Sequence, residues 1–392
     1  MSYFKDVEIS GPSSAFGEVL MVSPEPSIQI VLPYANTTEQ LTTAASGTAA
    51  AVSWAAGLLS LRSGTANGGT ATLVTHNVLR YGAGQGADVR FACIFSTGVA
   101  GATQMMGIGD LQDGFFFGYN GTAFGIMRRQ AGSDNWTAQT SWSVDKFNGS
   151  GLSGVTLDPT KGNVYRIVYQ WLGFGMITFQ VENPSTGGFT TVHRIQYANA
   201  NTTLSIRNPT LPIRAETLNT SASNNDATIQ TGSMAGFTQG HYNGGPTIRY
   251  GTTTTLLNVS TEAAVFTLKN KATNVLGGTN TNRTPCYIDW ISIACEGTKP
   301  AVIRMLQDTT LGGTPAYADI AAATSTMQKD VAGTTVTGGT QRWGMVLGKS
   351  SNAHVDVSLL RLHIHPGETV AFAAQSAANS DVSISVGWRE LQ

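Results

Sequence analysis

Charge is what this chain has least of. Its 392 residues include 23 Lys and Arg against 24 Asp and Glu, 12% of the sequence with a net charge of -1, where soluble domains ordinarily carry about 25%. Charge this sparse and this balanced leaves no electrostatic footprint for nucleic acid or an anionic membrane, so neither is expected as a partner. Solubility has to come from Thr, Ser, Asn and Gln. That balance, with 45 Gly, belongs to exported β-proteins and to virion fibres and shells rather than to cytosolic enzymes. Cysteine is equally scarce. Cys93, Cys286 and Cys295 are an odd number without CxxC spacing, which indicates neither a disulfide framework nor a zinc site and reads as buried free thiols.

Other absences narrow the reading. The opening MSYFKDVEIS has no basic start followed by an apolar core, so no secretory signal is expected and assembly in a host cytoplasm is. The uncharged run from Leu41 to Leu61 has membrane-span length but too much Thr, Ser and Gly to lie in lipid. Sequons at Asn120, Asn135, Asn148, Asn201 and Asn258 arise by chance in a chain rich in Asn and Thr. No GxSxG, HExxH, P-loop or dinucleotide fingerprint occurs, and Gly107 to Asp110 is too short to cradle phosphate. Glycoside hydrolysis needs two carboxylates about 5–10 Å apart, and Tyr287-Ile288-Asp289-Trp290-Ile291 supplies one. The expectation is a protein that is not an enzyme.

What is present is β-structure. Asp113 to Arg129, DGFFFGYNGTAFGIMRR, reads as two strands folded across Asn120-Gly121, because a type I′ turn needs positive φ at both central positions and Asn-Gly tolerates it best. A two-residue loop there sets Tyr119 opposite Thr122, Phe117 opposite Phe124, Phe115 opposite Ile126 and Asp113 opposite Arg128, an ion pair of about 0.2–1 kcal/mol. The other face, with Phe116 opposite Gly125, is thin enough for close approach. Val89, Phe91, Cys93 and Phe95 share one face of a buried strand; Tyr165, Ile167 and Tyr169 pair with Ile177, Phe179 and Val181. The last strand alternates Val382, Ile384, Val386 and Trp388 with Ser383, Ser385 and Gly387. Helix is weakly signalled around Ala49 to Leu59, which could equally be loop, and around Ala318 to Lys329. The length favours two domains. The expected organisation is an arm or first strands at 1–43, a sandwich at 44–261 and a second, smaller β-sandwich at 262–392, with the boundary near Thr261.

Candidate chemistry gathers in loops. Asp110, Asp113 and Asp134 could offer oxygen ligands to calcium, although no calcium-loop spacing is present, and solvated turn carboxylates are the plainer reading. His363 and His365 share one strand face with His354 as a third ligand for a transition metal, against the simpler reading of two exposed strand histidines. Trp136 and Trp142, with Asp134 and Asn135, offer the aromatic and amide groups of a sugar-binding surface, against the reading that both indoles cap the core.

The run from Arg80-Tyr81-Gly82 through VRFACIF, Gly107-Ile108-Gly109-Asp110, DGFFFGYNGTAFGI and NVYRIVYQWLGFGMITFQVENP resembles structural proteins of tailed bacteriophages and large DNA viruses. The ending HPGETVAFAAQSAANSDVSISVGWRE resembles the terminal β-domain of such proteins. The resemblance implies an all-β fold: an antiparallel jelly-roll or concanavalin A-like sandwich over roughly Phe16 to Tyr250, then the second sandwich. It also implies a non-enzymatic virion component of fibre, spike, decoration or baseplate type, forming a homotrimer, contacting other virion proteins and contributing to host attachment. The alternative is a carbohydrate-binding adhesin that recognises host surface glycans through Trp136, Trp142, Asn135 and Asp134.

Overall fold

The computed structural model describes residues 24–34, 39–221, 226–240, 248–273 and 281–391. The chain is all-β, and among the described residues helix is confined to 3-10 turns at Gln139–Ser141 and Ser358–Leu360. It divides into two compact units, residues 1–242 and 243–392.

The first unit packs two antiparallel sheets face to face. Among the described residues, one has seven strands in the order Ser133–Ala138, Ala123–Gln130, Gly114–Asn120, Ala102–Gly109, Leu211–Asn219, Thr70–Leu79 and Leu41–Ser46. The other has nine. Its main path runs Phe189–Ile195, Ile177–Glu182, Asn163–Tyr169, Gly86–Phe95, Thr228–Thr231, Leu58–Arg62 and Ala51–Ala55, with Ser233–Gln239 also paired to Gly86–Phe95 and Glu25–Val31 beyond it. Period-2 alternation drives this, because one face of each strand must leave water. Val89, Phe91, Cys93 and Phe95 are all buried, and Tyr165, Ile167 and Tyr169 pair with Val181, Phe179 and Ile177. Phe117 sits amid rings, with Tyr165 at 4.8 Å, Phe179 at 5.3 Å, and Trp142 at 6.2 Å. All three cysteines are buried and free, and burial pushes the Cys93 and Cys286 thiols up.

The hairpin forms with a different turn. Asn120 pairs with Ala123, so Gly121-Thr122 is the two-residue loop, and of these residues only Gly121 takes a positive φ, 60°. That is the type II′ pattern, which needs glycine at its first central position alone. The register moves by two residues, to Tyr119 opposite Phe124 and Phe117 opposite Ile126. A shift of two preserves which face each side chain takes, so Phe115, Phe117, Phe124 and Ile126 all remain in the core. The partners do change: Phe115 opposes Arg128 and Phe116 opposes Met127. The expected Asp113–Arg128 pair is absent, because the buried Asp113 carboxylate instead accepts the backbone N–H groups of Arg207 (3.0 Å) and Ala131 (3.3 Å).

Both helical expectations give way to strands. Ala51–Ala55 and Leu58–Arg62 form a hairpin across Ala56-Gly57, whose φ values of 51° and 78° are a type I′ turn. Leu59 and Leu61 alternate into the core there, a period that a helix would scatter. This hairpin and Leu41–Ser46 also account for the uncharged run, and no helix among the described residues is long and apolar enough to cross a membrane. Residues 318–329 hold the strand Ala318–Asp319 and the start of Met327–Asp330, which hydrogen-bonds to Ala263–Asn270.

Among the described residues of the second unit, a five-stranded sheet runs Ile248–Val259, Ser380–Glu390, Cys286–Gly297 and Ser351–Asp356, with His363–Ile364 also on Cys286–Gly297. It packs on a six-stranded sheet of Ala318–Asp319, Met327–Asp330, Ala263–Asn270, Thr369–Ser376, Ala301–Gln307 and Thr340–Leu347. Phe266 and Phe372 stack at 4.9 Å, and Val382, Ile384, Val386 and Trp388 are buried as their alternation requires. The division falls ahead of Thr261. Ile248–Val259 pairs with the last strand from Ile248 opposite Glu390 to Val259 opposite Ser380. Its threonine-rich outer positions hid a strand whose other face is half-buried. Of the expected arm at 1–43, residues 1–23 and 35–38 lie outside the described residues, and Glu25–Val31 and the start of Leu41–Ser46 are sheet strands.

Candidate functional site

The outer face of the seven-stranded sheet gathers an indole and, in a chain short of it, charge. Strand parity decides its members. Trp136, Met127, Phe116, Gly107 and Arg214 stand opposite one another in sequence across five strands, a row about 19 Å long at a strand spacing of about 4.8 Å. Phe116 lies flat over Gly109 and Gly114, where an added Cβ would come within 2.4 and 2.6 Å of its ring. Met105, Phe116 and Met127 form a small buried cluster beneath the half-buried Trp136. The result is an apolar floor that Trp136 and Arg129 cover, Phe116 and Met127 having no exposed surface of their own.

Two ion pairs border that floor. Arg129 Nε donates to Asp134 Oδ1 at 2.6 Å and Nη2 to Oδ2 at 3.0 Å, and the guanidinium lies over the Phe116 ring at 5.7 Å. Burial alone would lower the Arg129 pKa. The Asp134 hydrogen bond and charge, with the Glu216 charge, outweigh it and hold the guanidinium firmly cationic. Arg214 bonds Glu216 through Nη2, while its buried Nε–H has no hydrogen-bond acceptor. A buried donor left unmade costs about 1–3 kcal/mol.

The four residues expected to bind glycan are not one set. Asp134 and Trp136 share the outer face. Asn135 is paired with Arg128 and lies on the opposite side of the strand, because neighbouring residues alternate. Trp142 is a correction: with 3% exposure it packs edge-on against Phe117 and Phe124 in the core, where no sugar reaches it.

The calcium expectation for Asp110 and Asp113 does not fit the donor set. Asp110 Oδ1 accepts the N–H groups of Gln112 (2.7 Å) and Asp113 (2.8 Å), Asp113 is bound to backbone as above, and Asp134 is committed to Arg129. These carboxylates cap turns and neutralise an arginine. His354 likewise stands apart from His363. Their partners on Cys286–Gly297 are Ser292 and Tyr287, about 17 Å apart along the strand, so the three histidines cannot share an ion.

The sequence reading missed Arg129, Arg214 and Glu216. The signal was present: Arg214 and Glu216 are two residues apart in a strand, and of the Arg128-Arg129 doublet only one can share a face with Phe116.

No protein-family model matches this sequence, and no curated protein matches it. Among solved structures, the metal-free carbohydrate recognition domain of Emp46p aligns at 10% identity and a TM-score of 0.36, over 56% of this chain and 100% of that one. A glycosyl hydrolase family protein from Mycobacterium fortuitum aligns at 14% identity and 0.37, over 54% and 99%. The exoplasmic/lumenal domain of VIP36, in a Ca2+/Man3GlcNAc-bound form, aligns at 10% identity and 0.33, over 57% of this chain and 93% of that one.

Proposed function

We propose that this chain is a carbohydrate-binding β-sandwich protein that holds a surface glycan on the outer face of its seven-stranded sheet, binding it without turnover. The observation that carries this reading is the half-buried Trp136, set on the outer face beside the Asp134–Arg129 ion pair, which puts an indole next to fixed polar groups. Sugars present both an apolar C–H face and a ring of hydroxyls, so they need such a surface: an aromatic plane to stack on and fixed polar groups to orient them. Trp136→Ala is expected to weaken binding at least tenfold on a glycan array with the melting temperature little changed. Absence of binding to any glycan by the intact protein, or an unchanged affinity in the variant, would overturn the reading.

A second reading, a structural component of a virion built from several copies of the chain, is favoured by the strand Ile248–Val259. It is twelve residues long, carries a single charge at Arg249, and among the described residues forms the edge of its sheet. A long edge with so little charge is a template for pairing with another chain unless something covers it. Native mass spectrometry is expected to find a homotrimer, and Thr253→Pro, which places a ring on that edge, to lower the copy number. A monomer at micromolar concentration would count against it.

A further inference from the structure

The second unit carries a platform of its own. In Cys286–Gly297 the pairing with the last strand jumps from Ile288 opposite Trp388 to Trp290 opposite Gly387, leaving Asp289 as the extra residue of a β-bulge. Ile288 and Ile291 are both fully buried, so the bulge turns the consecutive Asp289 and Trp290 to the outer face together. A regular strand would send one of them into the core. The Trp290 indole then lies flat on its neighbour: a Cβ at Gly387 would come within 2.2 Å of its Cε2, and one at Gly251, on the next strand, within 3.9 Å of its Cζ2. Glycine at position 387 is what lets the indole lie down on the sheet.

Polar groups surround that plane on both sides. Toward one end Thr253, Ser385 and Ser292 stand opposite one another, with Thr253 donating to Ser385 at 2.8 Å and Ser292 within 2.5 Å of His354 Nδ1, whose ring lies 5.7 Å from Trp290. Asp356, opposite Trp290, is occupied in accepting the Ser358 N–H at 2.9 Å. Toward the other end Arg389 and Arg249 share Asp289, at 3.5 Å and 3.9 Å. These are ion-pair contacts too long for good hydrogen bonds, and Asp289 Oδ1 is left without a hydrogen-bond donor. Two guanidiniums around one loosely held carboxylate keep unspent N–H donors, and guanidinium forks match a second carboxylate.

We propose that this face is a second saccharide site, with Trp290 as its stacking platform and Arg249 and Arg389 as a clamp for a sugar that bears a carboxylate. The pyranose ring lies on the indole, its hydroxyls meet the Thr253–Ser385–Ser292 row, and its carboxylate takes the arginine donors that Asp289 does not satisfy. The site is in a different unit from the one proposed above and stands or falls separately.

The test is titration of the full chain, followed by tryptophan fluorescence and calorimetry, with oligogalacturonate and with maltohexaose as the neutral counterpart. Oligogalacturonate is expected to bind, to weaken at least tenfold in Trp290→Ala and in Arg389→Gln, and to keep its affinity in Trp136→Ala. Raising salt from 50 to 300 mM is expected to weaken it as well. Arg389→Gln, at a partly exposed rim position, carries the test should Trp290→Ala fail to fold. No binding at millimolar oligogalacturonate, or binding that both second-unit variants retain, would overturn the proposal. Loss in Trp136→Ala alone would assign the sugar to the first unit, also against it.

Discussion

Phe117→Ala is expected to destabilise the first unit by about 3–5 kcal/mol, the range for deleting a large aromatic side chain from a core. Phe117 is fully buried and its ring is within 6.5 Å of those of Tyr165, Phe179, Trp142 and Phe91. The cavity would lie between the two sheets, where neither backbone can collapse without breaking its ladder of hydrogen bonds. For a unit of this size that corresponds to a fall in melting temperature of roughly 6–20 °C, read by calorimetry of the full chain. A shift below about 2 °C would mean that the ring cluster repacks freely and is not the centre of the core.

Asp88→Asn is expected to be nearly as damaging although it removes no atoms from the core. Asp88 is fully buried on the far face of the nine-stranded sheet, where Arg166 grips it through Nε and Nη2, both at 2.8 Å, and Arg90 through Nη2 at 2.7 Å. Arg90 and Arg166 stand directly opposite each other across two strands. Like charges in that position repel, and only the carboxylate between them makes the register tolerable. The neutral amide leaves two guanidiniums facing each other at a cost of about 3 kcal/mol, the low end for breaking a buried pair, because Arg90 keeps about a third of its side chain in water. Asp88→Asn combined with Arg90→Gln is expected to recover part of the loss. A single variant that melts with the parent would show that the cluster contributes nothing net.

The strands of the first unit were legible wherever burial on one face forced a period of two, as in Val89 to Phe95 and Tyr165 to Val181. The hairpin at Gly121 shows the limit. Parity, which burial enforces, was readable from Phe115 and Phe117; the turn type was not, because Asn120-Gly121 and Gly121-Thr122 both satisfy local turn chemistry and the choice rests on pairing energy along the strands. Ala51 to Arg62 was ambiguous for a related reason. Short apolar runs suit helix or strand equally, and only the hydrogen bonds offered by Thr228–Thr231 settle the matter. The site residues divided the same way. That Asn135 must face away from Asp134 and Trp136 follows once a strand is assumed, whereas the burial of Trp142 depends on rings more than a dozen residues distant in sequence.

By itself the sequence determined the all-β class and the inward faces of the long strands, since these follow from local periodicity and residue type. Tertiary structure alone decided which polar groups meet. It brought Arg129 to Asp134, set Arg214 in one row with Trp136, and used a single-residue bulge to lay Trp290 and Asp289 side by side. Cross-strand register and bulges are fixed by the summed pairing of whole sheets, and no local stretch of sequence contains that sum.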